Sequence, residues 1–215
     1  MFGNWAVPSE DTIEVVEDPT NPAGSGQALR FKYLTTADGA GEATADTFPG
    51  GPYRVLYVLM RIFMEESGWD AFGNKFFYLG AALNARANVG SPTQYYNDRT
   101  GGAPFRLVNQ NIGSVVVTRS DRPPPEGGSI AFPGWDQWIT LEHLLVAEST
   151  PGAGDGRGAT WINGQPAGDR SDVTWIPAGA PANGFTGMHY YAHVNDVPVE
   201  SYYRLGELYI AGEPF

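Results

Sequence analysis

The stretch WITLEHLLV at 138–146, the segment GDGRG at 154–158 and the stretch ATWING at 159–164 decide the fold of this chain. The first stretch predicts a β-strand, and the glycine-rich segment predicts a turn. The third stretch predicts the returning strand, which ends in an Asn-Gly turn of the kind that closes β-hairpins. This hairpin indicates an antiparallel β architecture.

Further strands are predicted where β-branched and aromatic residues lie between turn residues. The longest covers 53–64, with Tyr57 and Arg61 on one face and an apolar second face formed by Leu56, Val58, Met60 and Ile62. The others cover 12–16, 28–33, 74–79, 105–108, 114–118, 189–194 and 202–211. Polar, glycine-punctuated sequence predicts loops or irregular structure at 35–52, 84–104 and 166–184.

The number and spacing of these strands indicate the fold class. About ten to twelve short strands, with no long amphipathic helix, predict an all-β protein. No repeat recurs at a fixed period, which disfavours a propeller or a solenoid. We therefore expect a two-sheet antiparallel jelly-roll sandwich that spans residues 1–215 as one domain.

Composition excludes several classes of partner. The formal net charge of −11 disfavours nucleic acid and anionic membrane surfaces. No apolar run is long enough to cross a bilayer, and the absence of cysteine excludes disulfides and thiolate metal sites. Residues 1–5 lack the basic start and apolar stretch of a signal peptide, so we expect a mature or trimmed chain, or one not exported by that route. The expected location is extracellular or on a virion surface.

The hairpin resembles the concanavalin A-like lectin/glucanase superfamily, and in particular its polysaccharide-lyase-like jelly rolls. The resemblance rests on Trp138-x-x-Leu141-Glu142, Gly154-Asp155-Gly156 and Trp161-Ile162-Asn163-Gly164, and the stretches 74–78 and 203–210 fit the same pattern. It implies two curved antiparallel sheets, with a glycan groove on the concave one. The paired-acid motif Glu-x-Asp-x-x-Glu of the related retaining glucanases is absent, so we do not expect glycoside hydrolysis of that type.

The predicted strand 189–194 carries the candidate catalytic residues. His189, Tyr191 and His193 alternate, so a regular strand places them on one face. A β-eliminating lyase needs a cation or neutral acid beside the substrate carboxylate, and a tyrosine or histidine to remove the C5 proton. Tyr57 and Arg61 are expected to complete this site. A plain polar strand face and a metal site at the three alternating residues are the alternatives.

Lys75, Trp138, Glu142 and Trp161 are the candidate substrate-binding residues. Aromatic rings stack on sugar rings, and a carboxylate accepts hydrogen bonds from sugar hydroxyls. Each residue also has a structural interpretation: a solvated strand edge for Lys75, a core or loop anchor for a tryptophan, and an ion pair with an arginine such as Arg61 for Glu142. The same two interpretations apply to the tryptophans at 69, 135 and 175.

Two further predictions concern charged and polar residues. Asp18, Asp155 and Glu207 are candidates for a structural calcium site, since related jelly rolls often carry a calcium ion and its ligands are oxygens. His143 lies between two leucines on the apolar face of its strand. We therefore expect a packed, hydrogen-bonded histidine there.

Three functions follow from these observations. The preferred one is a glycan-recognising, lectin-like domain that binds a polysaccharide on its concave sheet. The first alternative is a polysaccharide lyase that acts by β-elimination on a uronate-containing polymer. The second is a virion or appendage structural protein with assembly partners. The acidic charge disfavours a polyanionic substrate unless cations concentrate in the groove, the candidates being Arg54, Arg61, Lys75, Arg86, Arg99 and Arg106.

Overall fold

The computed structural model describes residues 13–33, 42–45, 52–65, 72–80, 93–97, 105–109, 115–119, 133–180, 183–195 and 201–214. In the strands between 72 and 119, and at 188–195, only the backbone is described. The described residues form thirteen strands: β1 (Ile13–Glu17), β2 (Gln27–Tyr33), β3 (Glu42–Ala45), β4 (Tyr53–Met64), β5 (Phe72–Gly80), β6 (Thr93–Asn97), β7 (Phe105–Asn109), β8 (Val115–Arg119), β9 (Trp138–Val146), β10 (Gly156–Ile162), β11 (Gln165–Val173), β12 (Gly187–Asn195) and β13 (Ser201–Pro214).

The strands form two antiparallel sheets. One has seven strands in the order β1-β2-β13-β4-β9-β10-β11, and the other has six in the order β3-β12-β5-β6-β7-β8. β8 packs against β10 and β11, and β12 packs against β2. The all-β jelly-roll sandwich predicted from the sequence is confirmed. None of the described residues forms a helix long and apolar enough to span a membrane.

The long strand β4 shows why the seven-stranded sheet has one buried face. The predicted apolar residues Leu56, Val58, Met60 and Ile62 are all at most 1% exposed. The residues between them are only partly buried and lie on the opposite face of the sheet. We call this opposite surface, which carries Tyr57 and Arg61, the outward face of the seven-stranded sheet.

The predicted hairpin forms, and its returning strand begins at Gly156, inside the segment predicted to be a turn. β9 and β10 pair from Leu141 to Val146, and β10 turns into β11 through Asn163 and Gly164. These two residues have φ angles of 49° and 75°, as a two-residue turn of type I′ requires. The turn between β10 and β11 is therefore determined by the backbone conformations that Asn163 and Gly164 can adopt.

Three segments differ from the sequence-based prediction. β3, β6 and β11 lie in regions that were predicted to be loops or irregular. β3 and β11 are edge strands, where polar residues and prolines such as Pro166 are tolerated, so their sequences lack a clear strand pattern. β6 pairs with β5 on one side and with β7 on the other. Its strand conformation depends on these two partner strands, and its own local sequence pattern did not predict it.

The described core also accounts for two residues that could have been functional. Trp175 is 1% exposed and packs edge-on against Phe185, with 6.2 Å between the ring centroids. It is therefore a core residue and has no accessible ring face on which a sugar could stack. His143 is fully buried, and its Nδ1 atom lies 3.1 Å from Oγ1 of Thr160. This confirms the expectation of a packed, hydrogen-bonded histidine.

Candidate functional site

The predicted catalytic residues lie on two different sheets. Tyr57 and Arg61 belong to β4 of the seven-stranded sheet, and His189, Tyr191 and His193 belong to β12 of the six-stranded sheet. Tyr57 and Arg61 are moreover on the outward face of their sheet. The expectation that the five residues line one groove is therefore corrected. The sequence indicated which face of each strand is polar, but strand pairing between distant segments decides which faces meet.

Tyr57 has a structural partner on the outward face. Its hydroxyl donates a hydrogen bond to Oε2 of Glu142, and its ring contacts Tyr209 edge-on at 6.3 Å. Burial, together with the hydrogen bond and the negative charge of Glu142, raises the pKa of Tyr57 to about 12. A phenol with this pKa is a poor base near neutral pH, so this environment disfavours Tyr57 as the group that removes a proton.

Arg61 is also engaged by a neighbour. Its Nε atom lies 3.1 Å from Oε2 of Glu207, directly across the β4–β13 register. Glu142 pairs with Tyr57, so the anticipated ion pair between Glu142 and Arg61 is replaced by these two contacts. The arrangement gives Glu142 and Glu207 each a local partner.

The acids proposed for calcium are bound by protein groups. Asp18 is 2% exposed and accepts hydrogen bonds from the backbone and hydroxyl of Thr20 and from Nη1 of Arg204, the last at 2.6 Å. Glu207 is paired with Arg61. The carboxylate of Asp155 accepts a hydrogen bond from the backbone of Ser149 at 2.8 Å.

These arrangements do not fit the predicted calcium site. A calcium ion takes six to eight oxygen ligands, and a carboxylate that already neutralises an arginine is a poor contributor. No group of three or more histidine or acidic side chains suited to a metal occurs in the part of the chain with described side chains. The calcium site stays a prediction without support from Asp18 and Glu207.

The two candidate tryptophans of the hairpin lie on the outward face, away from β12. Trp138 donates a hydrogen bond from Nε1 to Thr20 at 3.1 Å and packs edge-on against Phe63 at 5.6 Å, so it anchors the loop after β1. Trp161 is partly exposed and lies directly opposite Glu142 in the β9–β10 register, while its neighbour Ile162 is buried. Trp161 keeps a surface on which a ligand can stack.

The six-stranded sheet brings a different set of residues together. Backbone pairing places His193 of β12 opposite Lys75 of β5, and Lys75 opposite Tyr96 of β6. Tyr96 is opposite Arg106 of β7, and Arg106 is opposite Arg119 of β8. Directly paired residues occupy the same face of a sheet. These five positions form one row across five strands, which we call the basic row.

A second row runs beside the first. His189 is paired with Tyr78, and Tyr78 is paired with Gln94. Gln94 and Tyr96 are two positions apart on β6, so the two rows share one face of the sheet. The candidate residues His189, His193 and Lys75 therefore belong to one surface, on which sequence reasoning missed Tyr78, Gln94, Tyr96 and Arg119.

The register explains why a simple alternation on β12 is insufficient. Between Tyr190 and His193, three residue steps of β12 span two steps of β5. The pairing of β12 with β3 runs without a shift from Met188 to Tyr191, so His189 and Tyr191 keep the predicted alternation, and the irregularity affects the step to His193. Tyr191 pairs with Glu42 of the edge strand β3. Of the predicted trio, the register links His189 and His193 to the two rows.

The sequence contained only a partial signal for these rows. Arg106 was considered among the cations of a possible groove, and the polar residues of β6 alternate at Gln94 and Tyr96. Arg86 and Arg99 lie outside the described residues, as does Trp69. Arg54 lies on β4 in the other sheet. Only the pairing of β5 to β8 selects the residues that form a row.

Comparisons with solved structures identify proteins of the same architecture. The alginate lyase Aly36B matches with a TM-score of 0.69 at 16% identity, covering 97% of this chain and 86% of that chain. An alginate lyase from Aplysia kurodai matches with a TM-score of 0.68 at 13% identity, covering 98% and 91%. An endo-β-1,4-glucuronan lyase from Trichoderma reesei matches with a TM-score of 0.63 at 15% identity, covering 99% and 92%.

At the level of sequence there is no corresponding match. No protein-family model matches the chain, and a search of curated proteins finds no match either. The structural similarity establishes a shared fold, and at identities this low it carries no residue roles. The chain has the concanavalin A-like jelly-roll fold that these polysaccharide lyases share.

Proposed function

We propose that this protein is a polysaccharide lyase that cleaves a uronate-containing polymer by β-elimination on the face of the six-stranded sheet that carries the basic row. The observation that carries the proposal is the basic row itself, in which His193, Lys75, Tyr96, Arg106 and Arg119 occupy successive strands of one face. The shared fold with alginate and glucuronan lyases supports the same reaction class.

The residue types of the two rows match the requirements of β-elimination. A base removes the C5 proton of a uronate, the C4–C5 double bond forms, and the C4–O bond breaks. The electron pair leaves with the O4 oxygen, which takes a proton from an acid. A cation must stabilise the carboxylate while C5 carries negative charge. Lys75 is suited to the cation, and the histidines and tyrosines of the rows are suited to the proton transfers.

The local charge of the basic row supports binding of a polyanion in spite of the net charge of the chain. The protein carries a formal charge of −11, which opposes binding of a polyanion. The basic row concentrates one lysine and two arginines across four neighbouring strands, β5 to β8. A local cluster of this kind attracts uronate carboxylates even on an acidic protein.

The preferred lectin-like function is not confirmed, and the lyase alternative receives the better support. The proteins of known fold described above act as lyases, and two of them as alginate lyases. The two rows supply candidate acid, base and cation groups, which glycan binding alone does not require. An extracellular location, where such polymers occur, remains part of the proposal.

Unsaturated sugar products provide a direct test. Purified protein is incubated with alginate and with polyglucuronate, and the ultraviolet absorbance of the new double bond is followed. We expect Lys75→Ala and His193→Ala to lower kcat by at least about 100-fold, the usual effect of losing an acid–base or charge-stabilising group.

Matched variants on the outward face serve as controls. Tyr57→Phe removes a polar group and Arg61→Gln removes a cation on the other sheet, and we expect both variants to retain nearly full activity. The proposal fails if no polymer gives an absorbance rise, or if the outward-face variants abolish the activity that Lys75→Ala and His193→Ala leave intact.

A further inference from the structure

We infer that the outward face of the seven-stranded sheet holds a second glycan site, separate from the basic row and selective for uncharged polysaccharides. The site consists of Trp161, Glu142, Tyr57 and Tyr209. It does not depend on the proposed lyase reaction, because it lies on the other sheet and requires binding without chemistry.

The strand register aligns these residues across the sheet. Trp161 of β10 lies opposite Glu142 of β9, Glu142 lies opposite Leu59 of β4, and Leu59 lies opposite Tyr209 of β13. Neighbouring strands are about 4.8 Å apart, so the two aromatic ends are separated by about 14 Å. That length accommodates a short run of linked sugars between two aromatic rings.

The aromatic ends of this row remain accessible. Tyr209 is 52% exposed and lies beyond Leu205, where the described pairing of β13 with β2 ends. Trp161 is partly exposed. Aromatic rings on a rigid sheet lose little conformational entropy when a flat ligand stacks on them. Both ends are therefore suited to the apolar faces of pyranose rings.

The centre of the row offers a pre-positioned polar pair. The Tyr57 hydroxyl donates to Oε2 of Glu142, which holds both groups in place between the two aromatic ends. A carboxylate has acceptor capacity beyond one hydrogen bond, so Glu142 can also accept from sugar hydroxyls. The edge-on contact of Tyr57 with Tyr209 links this pair to one end of the row.

Charge selects the class of glycan. Glu142 is paired with a neutral phenol, and Arg61 in the adjacent register position is neutralised by Glu207. A uronate carboxylate placed on the row would face Glu142 without a compensating cation from Arg61. A hydroxyl-rich, uncharged chain meets no such repulsion. The two sheets would then bind chemically different polymers.

Binding measurements on the full chain test this inference. Isothermal titration is performed with cellohexaose, xylohexaose, laminarihexaose and, as the charged probe, an alginate hexasaccharide. We expect at least one neutral probe to bind, and Trp161→Ala and Tyr209→Ala each to weaken its Kd by at least about tenfold. Trp161→Phe, which keeps a ring, should retain most of the affinity.

The controls separate this site from the basic row and from misfolding. Tyr202→Ala removes an aromatic ring from the same strand as Tyr209 but outside the row, and Lys75→Ala alters the other sheet; neither should change the affinity for the neutral probe. Tyr209→Ala at an exposed position should leave the melting temperature nearly unchanged. The inference is overturned if no neutral probe binds, if Trp161→Ala and Tyr209→Ala leave binding intact, or if Lys75→Ala abolishes it.

Discussion

Tyr57 of β4 donates a hydrogen bond to Glu142 of β9 across the outward face of the seven-stranded sheet. The two residues were separate candidates, one for catalysis and one for substrate binding, and the structure makes them partners. Burial, together with this pairing, raises the pKa of Tyr57 and keeps the phenol protonated far above neutral pH.

We expect the protein to lose the stabilising contribution of the Tyr57 hydroxyl at alkaline pH. Its pKa is raised from 10.0 to about 12 in the folded protein, so its contribution is complete below pH 10 and disappears as the pH rises toward 12. Tyr57→Phe should lower the free energy of unfolding by about 1 kcal/mol at pH 7 and should show a smaller stability loss between pH 10 and 12. Urea denaturation at a series of pH values measures both effects. Equal alkaline losses in the two proteins would contradict the assignment.

The buried ion pair of Asp18 and Arg204 should stabilise the loop after β1. Burial opposes ionisation of Asp18, but the hydrogen bonds from Thr20 and the contact with Arg204 outweigh it and hold its pKa below 3.8. The contribution is therefore present above pH 3.8 and is lost as the pH falls through the lowered pKa. Asp18→Ala should lower the free energy of unfolding by about 3 kcal/mol, because it leaves Arg204 without its closest acid.

An exposed ion pair provides the matched control for Asp18. Asp172 pairs with Arg170 at 2.6 Å, but its side chain is 69% exposed. Asp172→Ala should change the free energy of unfolding by less than about 1 kcal/mol. Chemical denaturation of both variants at pH 7 measures the two changes in the free energy of unfolding. Equal changes would contradict the prediction that the buried Asp18 contributes more than the exposed Asp172.

His143 should remain neutral throughout the physiological range. Its complete burial lowers the pKa to about 3, against 6.5 for a free histidine. Stability from the neutral imidazole is complete above pH 6.5 and is lost progressively as the pH falls toward 3. Nuclear magnetic resonance should show the His143 ring signals unchanged from pH 8 to pH 5. Titration of that ring near pH 6.5 would contradict its burial.

Gly206 should tolerate no side chain, because two neighbours occupy the space. A Cβ atom there would collide with Oδ1 of Asn21 and lie 2.8 Å from Cη2 of Trp138. We expect Gly206→Ala to destabilise the protein by about 1–3 kcal/mol through overpacking. Gly164→Ala is a useful comparison, since it meets no neighbour within 4 Å but has a φ of 75° and is strained for that reason alone. Thermal unfolding of both variants separates collision from backbone strain.

Much of the fold was predictable because its signals are local. The apolar alternation of 53–64 predicted which residues of β4 are buried, and the Asn163-Gly164 pair predicted the turn that ends β10. The polar edge strands β3 and β11 were not predicted, since their pairing depends on β12 and β10 and not on their own pattern. The buried His143 was predicted correctly from its two leucine neighbours.

The candidate site was less predictable than the fold. The sequence alone determined which residue types the chain offers and which strand faces are polar, because side chains alternate along every strand. Only the tertiary structure decided that Tyr57 and Arg61 belong to one sheet and that His193 joins Lys75, Tyr96, Arg106 and Arg119 on the other. The physical reason is that hydrogen-bonded pairing between strands far apart in the chain sets which residues become neighbours, and no local pattern encodes that choice.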